Sequence, residues 1–130
     1  MIQRIQTLYM LLALLAIAAM ALFPIVSIGN QTIKLFNMGW ATLLAGLLAG
    51  LIMANIFNYK KRQVQWVIGR IGILLSFALF TVEFFFHFRN TDAMPGYALL
   101  APLLSVVLLS LANRAIKKDE DLVRSADRLR

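Results

Sequence analysis

The stretch "NYKKRQ", Asn58 to Gln63, lies between two long apolar runs, and its reading decides the fold. The flanking runs, 36–58 and 64–88, each supply the ~20 apolar residues that cross a bilayer core as helix. A connection this short joins antiparallel neighbours. Two further runs of that kind, 5–29 and 95–113, stand outside the pair. The chain therefore reads as all-α: a polytopic membrane protein of four antiparallel transmembrane helices with a cytoplasmic C-terminal helical tail. The membrane domain covers 1–116 and the charged amphipathic tail 117–130. Of 130 residues, 61% are hydrophobic and 15% charged, whereas an ordinary soluble domain carries about 25% charged residues. What remains outside the runs is too short for a soluble catalytic domain.

The net charge of +7 is explained by its distribution. With both termini inside, the inner segments hold ten cations, Arg4, Lys60, Lys61, Arg62, Arg114, Lys117, Lys118, Arg124, Arg128 and Arg130. The outer loops hold two, Lys34 and Arg89. Such a bias is what the positive-inside rule requires of one fixed orientation. It reads as topology and attraction to anionic lipid, and nucleic acid is not expected as a partner. Lys60, Lys61 and Arg62 in the inner turn are expected interface anchors. Arg70, near the inner end of helix three, leans toward its own N-terminus and snorkels to the same interface. Tyr9, Trp40, Tyr59, Trp66 and Tyr97 fall near the span boundaries, as interfacial aromatics do.

The opening "MIQRIQTLYMLLALLAIAAMALFP" has the cation, apolar run and Ala19-Met20-Ala21 of a signal peptide. Apolarity continues to Ile28, however, and an uncleaved first span is expected. Gly29 and Asn30 break the outer loop "SIGNQTIKLFN", and Pro95 in "RNTDAMPG" suits a first helical turn.

Helix two carries small or short residues every fourth position: Thr42, Gly46, Gly50, Ala54 and then Asn58. Helix three offers a comparable face in Gly69, Gly72 and Ser76. Lipid supplies no hydrophobic drive between helices, so close backbone approach has to hold them together. The two stripes are expected to pack on each other; the alternative is a surface for a partner or a second copy.

In "LFTVEFFFHFRN" an acid, Glu83, precedes the sole histidine, His87, by one turn. Glu83 lies about 9 Å below the outer boundary, and its side chain leans deeper still. The macrodipole and the low dielectric both oppose an anion there, so it is either protonated or paired. His87, the Ala98 carbonyl freed by Pro102, Ser105 and Thr42 are its possible partners. Three readings are open: a polar clasp between helices three and four, a step in a proton or cation path, and an interface to a partner.

No cysteine and one histidine leave no thiolate or histidine metal cluster, and no cofactor is expected. No phosphate loop or nucleophile–base motif marks an enzyme. In "ANRAIKKDEDLVRSADRLR", Leu122, Val123, Ala126 and Leu129 form an apolar side. Lys117–Asp121 and Glu120–Arg124 are spaced as helical ion pairs. The tail reads as a charged stop or as a docking helix for another protein.

That segment and the opening "MIQRIQTLYMLLA" resemble the uncharacterised family of small four-helix bacterial integral membrane proteins known as domain of unknown function 4293. The similarity spans essentially the whole chain. It implies four spans in a bacterial inner membrane and no reaction. The expected role is a non-enzymatic accessory or scaffold subunit with a lipid bilayer and a membrane-protein partner or homo-oligomer around it. The alternative is a small oligomeric proton-coupled transporter or channel using Glu83 and His87.

Overall fold

The computed structural model describes residues 2–130, with side chains from Ile5 onward, so the side chain of Arg4 lies outside the described residues. Four helices form an antiparallel bundle: α1 (Ile2–Ala19), α2 (Gly39–Phe57), α3 (Arg62–Arg89) and α4 (Ala101–Arg128). They stand in a ring, with α1 and α3 each packed against both α2 and α4. The four-residue link between α2 and α3 marks one end of the bundle, called here the turn end. The other end carries three short strands, β1 (Val26–Ile28), β2 (Gln31–Ile33) and β3 (Ala93–Pro95), and is the sheet end.

α2, α3 and the segment Tyr97–Arg128 are long and apolar enough to cross a membrane. α1 is shorter, 18 residues and about 27 Å. The helices bury one stripe and leave large apolar side chains such as Leu15, Leu43, Leu74, Phe84 and Leu104 exposed on the outside. Apolar on both sides, they have the composition of a bundle whose solvent is lipid.

The run 5–29 is not one helix. After Ala19 the chain tightens into turns, with Leu22 and Phe23 N–H both donating to the Ala19 carbonyl at 3.0 and 3.1 Å. Pro24 follows, and the residue before a proline is pushed out of helical geometry. Val26–Ile28 then form a strand, which hydropathy alone does not separate from a span. The run 95–113 is shifted as well. Pro95 ends β3 rather than starting a helix, and Pro102 occupies the first turn of α4, where no N–H is needed. Pro102 therefore breaks nothing, and the Ala98 carbonyl accepts the Ala101 N–H. α4 then runs unbroken through 116–117 to Arg128.

The sheet joins the two loops of its end. β1 is central, pairing antiparallel with β2 and with β3. Gly29, at φ +59°, turns β1 into β2 as the first residue of a type II′-like hairpin. Gly96 N–H donates to the Ile25 carbonyl at 2.7 Å, and Ala98 N–H to Pro24 at 3.3 Å. A Cβ on Gly96 would collide with the Pro24 carbonyl, so the crossing of these backbones requires glycine.

The small-residue stripes of helices two and three do not meet. Gly46, Gly50 and Ala54 are exposed, and a Cβ at either glycine would meet nothing within 4 Å. α2 instead turns Ala41, Ala45, Leu48, Ile52 and Asn55 inward. Four-residue spacing places two stripes a fraction of a turn apart on one helix, and the bulkier one fills the core here. The stripe of α3 is buried, but chiefly against α4: Gly69 lies against Asn113, and Gly72 against Leu109 with Leu51 of α2.

Candidate functional site

The buried face of α3 carries the polar chemistry of the bundle. In order it reads Gln65, Gly69, Gly72, Ser76, Leu79 and Glu83. Each interval is three or four residues, so all share one side of the helix.

At its sheet-end extremity stands Glu83, with 0% of its surface exposed. Neither carboxyl oxygen has a hydrogen-bond partner within the protein. His87 is one turn on and only half buried, and its Nδ1 is also unpartnered. The two are neighbours in sequence and do not bond. The other expected partners are occupied elsewhere. Thr42 Oγ1 donates to the Leu35 carbonyl at 2.6 Å, with that of Met38 at 3.0 Å, which fastens the start of α2. Ser105 pairs with Ser76 at 3.3 Å, while Ser76 Oγ also reaches the Gly72 carbonyl at 2.8 Å. The hydrogen-bonded clasp expected of Glu83 is therefore not made; what joins α3 to α4 is the serine pair, about two turns deeper.

At the turn end, four carboxamides are buried, one from each helix: Gln6, Asn55, Gln65 and Asn113. Gln6 Nε2 donates to Gln65 Oε1 at 3.3 Å. Gln65 Nε2 reaches the Asn55 carbonyl at 3.3 Å and the Met10 sulfur at 3.7 Å. Asn113 Nδ2 donates to the Trp66 carbonyl at 3.3 Å, in the space that Gly69 leaves open. Four polar atoms of this layer have no protein partner: Gln6 Oε1, Asn55 Oδ1, Asn55 Nδ2 and Asn113 Oδ1. Sequence reasoning passed over this layer. Asn55 and Asn113 fell near expected span ends, and two glutamines in separate segments give no local motif. The available signal was depth: all four stand within about three turns of the turn end in otherwise apolar runs.

The expected anchors divide. Arg70 is exposed and stacks on the Trp66 ring at 3.8 Å, one turn toward its N-terminus, as its lean requires. Lys60 lies 5.9 Å over the Tyr59 ring, and Lys61 is exposed beside it. Arg62 is not free for lipid, because its Nε stands 3.2 Å from Asp119 Oδ2 and so ties the start of α3 to α4. In the tail, Glu120 and Arg124 pair at 3.5 Å. No ion pair joins Lys117 to Asp121 among the described residues. Every residue from Asp121 on is exposed, with Leu122, Val123, Ala126 and Leu129 among them.

The described residues contain no group of three or more acidic or histidine side chains placed to hold a metal. A family model matches residues 2–129, and its description reads only "Domain of unknown function (DUF4293)". No curated protein and no solved structure matches the chain.

Proposed function

The chain belongs to the DUF4293 family, which assigns no activity, and we propose from its geometry that it is a non-enzymatic accessory or scaffold subunit of a membrane complex. In this reading all four helices span a bacterial inner membrane. The turn end, with its cluster of Lys and Arg, faces the cytoplasm together with both termini. One observation carries the proposal: α4 leaves the bundle without a break and ends in ten residues, 121–130, that are exposed throughout. Leu129 is 90% exposed. A segment that only fixed topology would need the cations and no ordered apolar side.

The outward stripe of Gly46, Gly50 and Ala54 supports the same role, since it offers close approach to a helix from another chain. The test is native mass spectrometry of the tagged protein gently purified from its own membranes. It is compared with a chain truncated after Glu120, which keeps the Arg62–Asp119 pair. A stoichiometric foreign subunit that is lost with the tail is the expected result. A bare chain or homo-oligomer in both samples sinks the accessory role.

A second reading is favoured by Glu83. A carboxyl group at zero exposure, with no partner for either oxygen, serves no structural bond, and ionisable groups inside membrane segments mark ion and proton paths. In that reading the protein is a small proton-coupled transporter or channel, and oligomeric, since four short helices enclose little space. Glu83→Gln keeps the shape and separates the two: abundance unchanged and proton flux lost supports transport, and flux unchanged removes it.

A further inference from the structure

The polar groups of the core lie along one line. From Gln65 to Glu83 the buried face of α3 climbs about 27 Å, close to the ~30 Å thickness of a bilayer core. The line starts in the carboxamide layer, passes the Ser76–Ser105 pair at mid-height and ends at the unpartnered carboxyl. Only one apolar side chain on this face, Leu79, stands between the serines and Glu83.

The layer at the start is chemically unfinished. Gln6, Asn55 and Asn113 are 1%, 1% and 7% exposed, yet they leave three acceptors and one donor without a protein partner. Each such group costs about 1–3 kcal/mol when left unmade, and four together are a large sum for a small bundle. An anion would face the three oxygens, and a cation the Asn55 Nδ2. Rotating the Asn55 amide exchanges its two atoms and leaves the requirement unchanged. Water both donates and accepts, and it is the small species that completes such a set.

We propose that Gln6, Asn55, Gln65 and Asn113 bind water inside the bundle, and that this hydrated layer is the entry by which a proton reaches Glu83 along the buried face of α3, with two plugs on the way, Leu109 of α4 at Gly72 and Leu79 beyond the serines. The inference rests on the proton-handling reading of Glu83. At its level the carboxyl has one titratable neighbour, His87, one turn on along α3. Segments 13–20 of α1, 39–54 of α2 and 101–113 of α4 contain no titratable residue. On α3 the neighbour is His87, with exposed Arg89 beyond it, and on the sheet end Lys34, Asp92 and Tyr97 are exposed. In this route the proton enters from the turn end, carried by the water that the carboxamides hold and passed on by the serine hydroxyls, while His87 on the sheet-end side makes no bond to the carboxyl.

The experiment is infrared spectroscopy of the full chain in lipid nanodiscs. The band of the protonated Glu83 carboxyl is identified by its loss in Glu83→Gln, and its shift is timed after transfer to heavy water. Gln65→Leu is expected to slow that shift by about ten-fold, the scale of one lost hydrogen-bond contact. Leu79→Ser is expected to speed it. Gln6→Met, which keeps the chain length, gives the same slowing if Gln65→Leu does not fold. Rates that match the unaltered chain in these variants overturn the route while leaving a protonated Glu83 in place. A spectrum in which Glu83→Gln removes no carboxyl band overturns the proton-handling reading, and this inference with it.

Discussion

The two ends of the bundle are closed by different means. The sheet end is held by main chain: nine residues in three strands, with Gly96 N–H on Ile25 and Ala98 N–H on Pro24 binding the loops to each other. The turn end is held by side chains: four carboxamides, the Arg62–Asp119 pair and the Asn58 amide, whose Nδ2 caps the Ala54 carbonyl at 2.9 Å. Backbone bonds survive nearly every substitution and tolerate no displacement. Side-chain bonds can be deleted one at a time and can rearrange. The turn end is therefore the end that substitutions can loosen one bond at a time, and it is also the end from which α4 projects.

Substitutions that crowd or empty each end test this contrast. The largest effect is expected at Gly96, where a methyl group meets the Pro24 backbone: Gly96→Ala should cost about 3 kcal/mol, the upper part of the overpacking range. Thermal unfolding in detergent measures it, and a cost near zero would show that the sheet end yields. Gln65→Leu comes next. It strands Gln6 Nε2 and removes the bond to Asn55, for about 1–2 kcal/mol by the same assay. Gly69→Ala meets only the movable amide of Asn113, so about 1 kcal/mol is expected, less than at Gly96 although the approach is equally close. Equal costs at the two glycines would erase the distinction between the ends. Asp119→Asn should change stability by about 0.5 kcal/mol, as partly exposed pairs do, and less in high salt. Last, Gly46→Ala with Gly50→Ala should cost no stability at all, since both face outward and alanine is favoured over glycine inside a helix by about 0.5–1 kcal/mol. A lowered assembly size on native mass spectrometry with intact unfolding would place a partner on that stripe.

The helices were legible in the sequence because hydropathy and the "NYKKRQ" turn report directly on long apolar segments. Which way each helix faces was less so. In α2, Leu43 and Leu47 look outward and Leu48 and Ile52 inward, so both sides are apolar and period alone names no inner face. Small residues then mislead, because they mark close approach without saying to what. The sheet depends on Val26–Ile28 finding Ala93–Pro95 across two intervening helices, a pairing no local pattern encodes. Pro102 was visible but taken to free the Ala98 carbonyl from inside a helix, since the start of α4 was placed six residues early. Glu83 is buried, whereas of its expected partners Thr42, Ser105 and the Ala98 carbonyl bond elsewhere and His87 does not bond to it. The carboxamides were individually plain and collectively invisible until the four helices brought them to one level.

The continuity of α4 has a mechanical meaning. From Ala101 to Arg128 it is a rod of about 40 Å with no proline or glycine after its first turn. A helix without a joint does not absorb a twist; it passes the twist along its axis. It touches Ser76 through Ser105, Gly69 through Asn113 and Arg62 through Asp119, and only from Asp121 on does it stand free of the bundle. The tail is thus one end of a single rod whose other end lies in the polar core, so whatever holds residues 121–130 holds the helix of the serine pair with them.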